Sequence, residues 1–127
     1  MDRPYRILHI EDLPSDIYLV GREIRKVLGA CEIKLAETKE TFSETLKEFK
    51  PDIILSDMSM PEFDWATALK ITREHSSLIP FIIVTGSTST DIAAECMKAG
   101  VTDVISKVNI QNLGPSVLHA LEQNKIL

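Results

Sequence analysis

The sequence has few cysteines, no basic run and no long apolar run, and each shortage excludes a class of protein. Cys31 and Cys96 have no CxxC partner and no histidine at ligand spacing, which excludes a zinc site and favours two buried free thiols. No apolar stretch approaches the roughly 18 residues that a membrane span needs. Residues 1–4 also lack the apolar segment of a signal peptide. We therefore predict a soluble, cytoplasmic protein that forms a single domain over residues 1–127 and makes no membrane contact.

Basic residues are outnumbered by acidic ones and are scattered along the chain. The 14 lysines and arginines stand against 19 aspartates and glutamates, which gives a net charge of −5 at pH 7. Such a balance argues against binding nucleic acid or anionic lipid through bulk charge. No GxGxxG pattern follows the first apolar run, which argues against a dinucleotide-binding enzyme. We therefore predict no nucleic-acid partner for this domain.

Five short apolar runs alternate with five amphipathic stretches along the chain. The runs predict β-strands at Tyr5–Ile10, Cys31–Ala36, Ile53–Ser56, Phe81–Thr85 and Val104–Ser106. The third and fourth runs are continuously apolar, which is typical of strands that are buried on both faces of a parallel sheet. The stretches between the runs place apolar residues at helical spacing, and Thr41 with Glu44 has the pattern of a capping box. The alternation predicts an α/β fold with an open parallel sheet.

Polar residues follow the predicted strands at the points where the strands end. They are Glu11, Asp12, Asp57, Thr85 and Lys107. Because ligands bind at the carboxyl ends of the strands in such sheets, we expect these side chains to converge at one edge. Three carboxylates brought close together repel each other, and the single ammonium group of Lys107 is too little to balance them. The cluster therefore predicts a Mg²⁺ pocket in which one carboxylate remains free to act as a nucleophile.

Four segments, in this order and at these spacings, resemble the receiver domain of response regulators, the phosphoacceptor module of two-component signalling. The segments are Ile7–Asp12, Ile54–Pro61, Val84–Ser87 and Ser106–Lys107. The resemblance covers nearly the whole chain and is closest in kind to chemotaxis-regulator-like modules. It implies a (βα)5 doubly wound, three-layer sandwich of the flavodoxin-like type. The implied sheet has five parallel strands in the order 2-1-3-4-5.

The resemblance also implies a phosphoacceptor and a metal site. Asp57 would accept the phosphoryl group. Asp12 and Asp57 would bind Mg²⁺ together with the backbone carbonyl of Ser59. Glu11 would contribute to the metal site mainly through water.

Two further residues would serve the phosphoryl group and the switch. Thr85 would hydrogen-bond the phosphoryl group, and Lys107 would pair with it. Asp57 would attack a phosphohistidine of a partner histidine kinase or phosphotransfer protein, in a transfer that needs positioning and charge neutralisation more than covalent machinery. Movement of Thr85 toward the new group would pull residues 86–89, and the domain would thereby regulate an output domain or a partner protein.

Two of the departures from the family pattern affect the switch and the loop after Lys107. Val104 stands where receivers usually carry Tyr or Phe, so the family's aromatic switch has no ring to turn. Val108 stands where the family usually has a cis proline, and a cis bond to another residue costs roughly 3 kcal/mol. We therefore predict a trans peptide bond before Val108 and a reshaped loop from there to Leu113.

Other functions remain open. One is a degenerate receiver that acts as a phosphorylation-independent protein-interaction domain, which the residues at positions 104 and 108 suggest. Another is an aspartate-nucleophile phosphatase, but that reaction needs a second Asp where this chain has Ser59. We expect no enzyme activity beyond the domain's own phosphoryl transfer and dephosphorylation.

The segment Lys107–Pro115 resembles receivers that belong to multidomain sensor kinases and sensory proteins. We therefore expect a domain of a longer protein, which could itself be a histidine kinase. Neither a helix-turn-helix nor a kinase nucleotide motif occurs in the sequence, so we expect the output to lie in another domain or in a partner protein. The sequence leaves dimerisation open.

Overall fold

Strands and helices alternate throughout the part of the chain that the computed structural model describes, residues 3–58, 60–61 and 63–126. The strands are β1 (Tyr5–Ile10), β2 (Cys31–Ala36), β3 (Ile53–Asp57), β4 (Phe81–Thr85) and β5 (Asp103–Ser106). The helices are α1 (Pro14–Leu28), α2 (Lys39–Phe49), α3 (Trp65–His75), α4 (Thr90–Ala99) and α5 (Leu113–Ile126). A 3₁₀ segment, Lys107–Asn112, leads from β5 into α5. The predicted strands are confirmed, with one more residue at the end of β3 and one more at the start of β5.

The five strands form one sheet in the order β2-β1-β3-β4-β5, with every neighbouring pair parallel. This is the predicted flavodoxin-like order. The order reverses at the boundary between β1 and β3, the position at which doubly wound sheets bind ligands beyond the carboxyl ends of their strands. The fold therefore places the ends of β1 and β3 at the expected site.

Each face of the sheet is covered by its own hydrophobic core, which makes three layers. One core joins the sheet to α1 and α5, and its members include Ile7, Leu55, Val20, Ile24 and Val117. The other joins the sheet to α2, α3 and α4, and its members include Leu8, Ile83, Phe42, Ala68 and Cys96. Side chains alternate between the faces along each strand, so the face to which a residue near a strand end belongs can be read from its position.

The ends of the helices follow local chemistry, with one difference from the sequence prediction. Pro14 begins α1, and Gly29 ends it with a positive φ of 68°, a conformation that costs glycine little. At α2, the capping box joins Thr38 and Thr41: each hydroxyl accepts the other residue's backbone N–H at 3.1 Å. The predicted box of Thr41 with Glu44 was wrong, because α2 begins one turn earlier and Thr41 supplies the third-position side chain.

The predicted trans peptide bond after β5 is confirmed. No cis peptide bond occurs within the described residues, so the bond before Val108 is trans. The chain turns through the 3₁₀ segment, in which Asn109 departs from helical geometry with φ −122° and ψ 44°.

Cys96 is buried as predicted, but Cys31 is only half-buried, because β2 is an edge strand. Among the helices in the described part of the chain, none is long and apolar enough to cross a membrane.

The contact between α1 and α5 depends on a glycine. A Cβ at position 114 would lie 2.9 Å from Cγ1 of Val27 and 3.0 Å from the backbone oxygen of Glu23. We expect Gly114→Ala to lower the free energy of unfolding by about 1–2 kcal/mol, because this overpacking outweighs the gain in helix propensity. Urea denaturation measures the change.

The matched control is Gly86→Ala, where a Cβ would meet nothing within 4 Å. It should leave the unfolding midpoint nearly unchanged. A Gly114→Ala variant that is more stable than the wild type would contradict the packing described here.

Candidate functional site

Two carboxylates meet where β1 and β3 end. Ile10 of β1 pairs with Ser56 of β3, which brings the following residues, Glu11 and Asp57, side by side. The alternation of side chains directs both toward the face covered by α1 and α5. Glu11 is 2% exposed and Asp57 is 6% exposed. Two acidic groups are therefore held close together and largely away from water.

The ammonium group of Lys107 lies among the carboxylates at this edge. Its Nζ is 2.8 Å from Oδ1 of Asp57 and 2.6 Å from Oδ2 of Asp16, a residue in the first turn of α1. The same nitrogen lies 3.9 Å from Oε1 of Glu11. One positive charge is thus shared by three negative ones, and these four groups keep a net negative charge.

The three carboxylates form a group that can hold a metal ion. Glu11, Asp16 and Asp57 each offer an oxygen, and these oxygens all lie within 4.8 Å of one another. Oxygen-only donors suit a hard divalent cation, and Mg²⁺ needs only one or two protein carboxylates because it keeps several waters. The donor set and the uncompensated negative charge therefore fit Mg²⁺.

Burial and a neighbouring carboxylate disfavour the charged form of Glu11. Burial, and next the charge of Asp57, raise the pKa of Glu11 to about 6. The backbone N–H groups of Leu13 and Asp12 donate to Oε2 of Glu11 at 3.3 and 3.2 Å and offset part of this effect. The protein therefore holds Glu11 ionised at neutral pH at a cost in stability.

Lys107 responds in the opposite way. Burial by itself would lower the pKa of Lys107, but the hydrogen bonds to Asp16 and Asp57 outweigh it and raise the pKa above its ordinary value. The ammonium group is therefore charged at all physiological pH values.

His9 lies in β1 beneath the same edge of the sheet. It is 1% exposed, and burial lowers its pKa to about 4, although the charge of Asp57 acts in the other direction. Its Nε2 has no hydrogen-bond partner among the described residues. His9 is therefore a neutral core residue at pH 7 and supplies no second positive charge to the cluster.

Thr85, at the end of β4, faces the other core. Its hydroxyl donates to Sδ of Met58 at 3.5 Å and accepts the backbone N–H of Ser87 at 3.0 Å. Ser87 in turn accepts the backbone N–H of Ser89, the residue that caps α4. A continuous set of hydrogen bonds thus joins Thr85 to the start of α4. Val104 is half-buried against the core on this face.

The structure brings together three of the five predicted side chains. Glu11, Asp57 and Lys107 are in mutual proximity. Asp12 is exposed and is not a member of the group of three carboxylates, although its N–H bonds to Glu11. Its predicted role in metal binding stays a prediction. Ser59, the predicted carbonyl ligand, lies outside the described residues.

Asp16 is the site residue that sequence reasoning missed. Pro14 suits the first position of a helix, and this marks Asp16 as a first-turn residue. A helix that starts directly after β1 must begin at the carboxyl edge of the sheet. The signal was therefore present, but it required α1 to be placed relative to the ends of the other strands.

Comparisons with known proteins found matches over most of the chain. The family model of the response regulator receiver domain matches residues 7–117. The chain is 32% identical over 96 residues to the regulatory protein AtoC of Escherichia coli K12, which covers 75% of this chain and 21% of AtoC. It is 34% identical over 98 residues to the DNA-binding transcriptional regulator NtrC of Proteus hauseri, which covers 77% of this chain and 20% of NtrC. The chain thus spans about a fifth of the length of these two curated relatives.

A solved structure shares the fold. The signal receiver domain of a putative Luxo repressor protein from Vibrio parahaemolyticus superposes with a TM-score of 0.84 and 24% identity. The match covers 98% of this chain and 95% of that one.

The raised pKa of Glu11 predicts that a neutral side chain at position 11 stabilises the folded protein, and that this stabilisation depends on pH. Without metal, we expect Glu11→Gln to raise the free energy of unfolding at pH 7 by about 1–2 kcal/mol, because the buried charge beside Asp57 is removed. The folded-state pKa, about 6, exceeds that of an unfolded glutamate, roughly 4.3. The free energy of unfolding of the wild type therefore falls as the pH rises from the unfolded-state pKa to the folded-state pKa of Glu11. Below both values, Glu11→Gln should no longer be more stable than the wild type.

Urea denaturation in chelator from pH 4 to 7 measures this gain. The control is Glu44→Gln, which removes an exposed carboxylate from the surface of α2 and should leave the free energy of unfolding nearly unchanged. A Glu11→Gln variant no more stable than the wild type at pH 7 would contradict the assignment of strain to Glu11.

Proposed function

Because this chain belongs to the response regulator receiver family, we propose that it accepts a phosphoryl group on Asp57 in a Mg²⁺-dependent reaction. The observation that carries the proposal is the placement of Asp57. Asp57 is 6% exposed and ends a central strand, and one oxygen of its carboxylate lies 2.8 Å from the ammonium nitrogen of Lys107. A nucleophilic carboxylate and a fixed positive charge are the groups that formation of an aspartyl phosphate needs.

The transfer follows from these two groups. A carboxylate oxygen of Asp57 attacks the phosphorus of a phosphohistidine, the P–N bond breaks, and the imidazole leaves with the electron pair and takes up a proton. The product is an acyl phosphate on Asp57. The ammonium group of Lys107 stabilises the negative charge that the phosphoryl oxygens carry during the transfer.

The metal site of the proposal combines the residues implied by the family with those found at the edge of the sheet. Asp12, Asp57 and the carbonyl of Ser59 are the proposed ligands, with Glu11 acting through water. When bound, Mg²⁺ supplies positive charge to the phosphoryl oxygens. The donor chemistry of the Glu11, Asp16 and Asp57 cluster supports this choice of ion.

The proposed switch runs through Thr85. In the phosphorylated state its hydroxyl leaves Met58 and donates to the phosphoryl group. Ser87 and Ser89 then transmit the shift to α4, because they are joined to Thr85 by hydrogen bonds. Val104 offers no ring to turn, so we assign the readout to this loop and to α4.

The proposed partners are a histidine kinase or phosphotransfer protein, which donates the phosphoryl group, and an output domain or partner protein, which responds. This is a cytoplasmic signalling role with no activity beyond self-phosphorylation and dephosphorylation. The curated relatives support it, because the match to this chain covers only about a fifth of each of those longer proteins. Dimerisation remains compatible with it.

The first test is intact mass after incubation with a small-molecule phosphodonor. We expect the wild type to gain one phosphoryl group with Mg²⁺ and none with chelator. Asp57→Asn should gain none, whereas the control Asp91→Asn, which removes an exposed carboxylate from α4, should behave as the wild type. No gain in a folded wild type that binds Mg²⁺ would overturn the proposal and favour the phosphorylation-independent interaction domain.

A second test concerns the readout. Phosphorylation should change hydrogen exchange across residues 86–99 in the wild type. Thr85→Ala should accept the phosphoryl group but lose at least half of that change, because the hydroxyl that joins the site to α4 is missing. Thr88→Ala, an exposed change in the same loop, is the control. Phosphorylation without any change of exchange in the wild type would favour the interaction domain.

A further inference from the structure

Asp16 competes with Asp57 for the same ammonium group. The Nζ of Lys107 is 2.6 Å from Asp16 and 2.8 Å from Asp57, and the side chains of Lys107 and Asp16 are only 22% and 18% exposed. Asp16 stands on α1, whereas Asp57 ends β3. The cation is therefore held between a helix and a strand by two carboxylates of similar reach.

Phosphorylation changes the demand on this cation. The acyl phosphate replaces the single negative charge of the Asp57 carboxylate with up to about two. Lys107 must then donate hydrogen bonds to the phosphoryl oxygens. Asp16 still accepts a hydrogen bond from Lys107 and adds a negative charge near the phosphoryl group. A carboxylate in this position lowers the stability of the phosphorylated state relative to the resting one.

We propose that Asp16 is a positioning residue that acts through Lys107 and limits both the extent and the lifetime of phosphorylation on Asp57. The proposal rests on the proposed function. In the resting state, the ammonium group of Lys107 is bound by both Asp16 and Asp57. After transfer, the ion pair with Asp16 weakens the interaction of Lys107 with the phosphoryl group. Its removal leaves Lys107 in place, because Asp57 and Glu11 remain within 2.8 and 3.9 Å.

A general effect on α1 would not explain such a role. Acidic residues in the first turn of a helix interact favourably with the helix dipole, and Asp16 holds such a place in α1. Asp91 holds a first-turn place in α4 and is exposed. Asp91→Asn is therefore the matched control, since it removes a first-turn charge without touching Lys107.

The first experiment measures hydrolysis of the acyl phosphate by intact mass at saturating Mg²⁺, established by titration for each variant. Asp16→Asn should slow hydrolysis about fivefold, the size expected of a partly exposed ion pair, and should raise the steady-state phosphorylated fraction. Asp16→Glu should restore near-wild-type hydrolysis, and Asp91→Asn should match the wild type. In a Lys107→Met background, Asp16→Asn should have no further effect.

Three results would overturn the proposal. The first is equal hydrolysis in the wild type and Asp16→Asn. The second is an undiminished effect of Asp16→Asn without Lys107, which would remove the route through the ammonium group. The third is a loss of phosphorylation that higher Mg²⁺ restores, which would assign Asp16 to metal binding instead.

A second experiment does not depend on phosphorylation. Urea unfolding in chelator compares the wild type, Asp16→Asn, Lys107→Met and the double variant. Lys107→Met should lower the unfolding midpoint less in the Asp16→Asn background than in the wild type, because the lost attraction is already absent. If the midpoint shifts of the two single variants add up to that of the double variant, the proposed interaction between Asp16 and Lys107 is overturned. If the wild type takes up no phosphoryl group, the proposed function fails and the limit on phosphorylation fails with it, whereas this comparison still decides the contact.

Discussion

The site depends on one ammonium group shared among carboxylates that repel each other. Glu11, Asp16 and Asp57 offer oxygens within 4.8 Å of one another, and Lys107 is in ion-pair distance of all three. The negative charge left over makes the site receptive to a divalent cation. Because the three carboxylates lie so close together, a change in the charge of one alters the electrostatic free energy of the other two.

The rest of the fold supports this strained edge. The apolar strands bury their side chains in two cores, one against α1 and α5 and one against α2, α3 and α4. These cores contain no part of the carboxylate cluster, so its repulsion is offset by burial elsewhere. The alternation of side chains along the strands then separates two tasks. Glu11 and Asp57 face α1, whereas Thr85 faces the core beside α4.

Most of the elements, and part of the site, could be predicted from the sequence. The bounds of β1, β2 and β4 agree with the prediction because apolar runs between turn residues are local signals. The capping box of α2 was placed three residues late, since Thr38 and Thr41 form a pair of hydroxyls rather than the usual hydroxyl and carboxylate. Asp16 was missed because it belongs to no strand end.

The sequence by itself determined the number of strands and helices, their order along the chain and the polar residues near the strand ends, because these depend on patterns of a few residues. Only the tertiary structure decided which carboxylates share the cation. Lys107 and Asp16 are 91 positions apart in the chain, and their 2.6 Å contact depends on where α1 begins above the edge of the sheet. Coulomb attraction falls with distance in space and not along the sequence, so no local pattern could select Asp16 as the partner of Lys107.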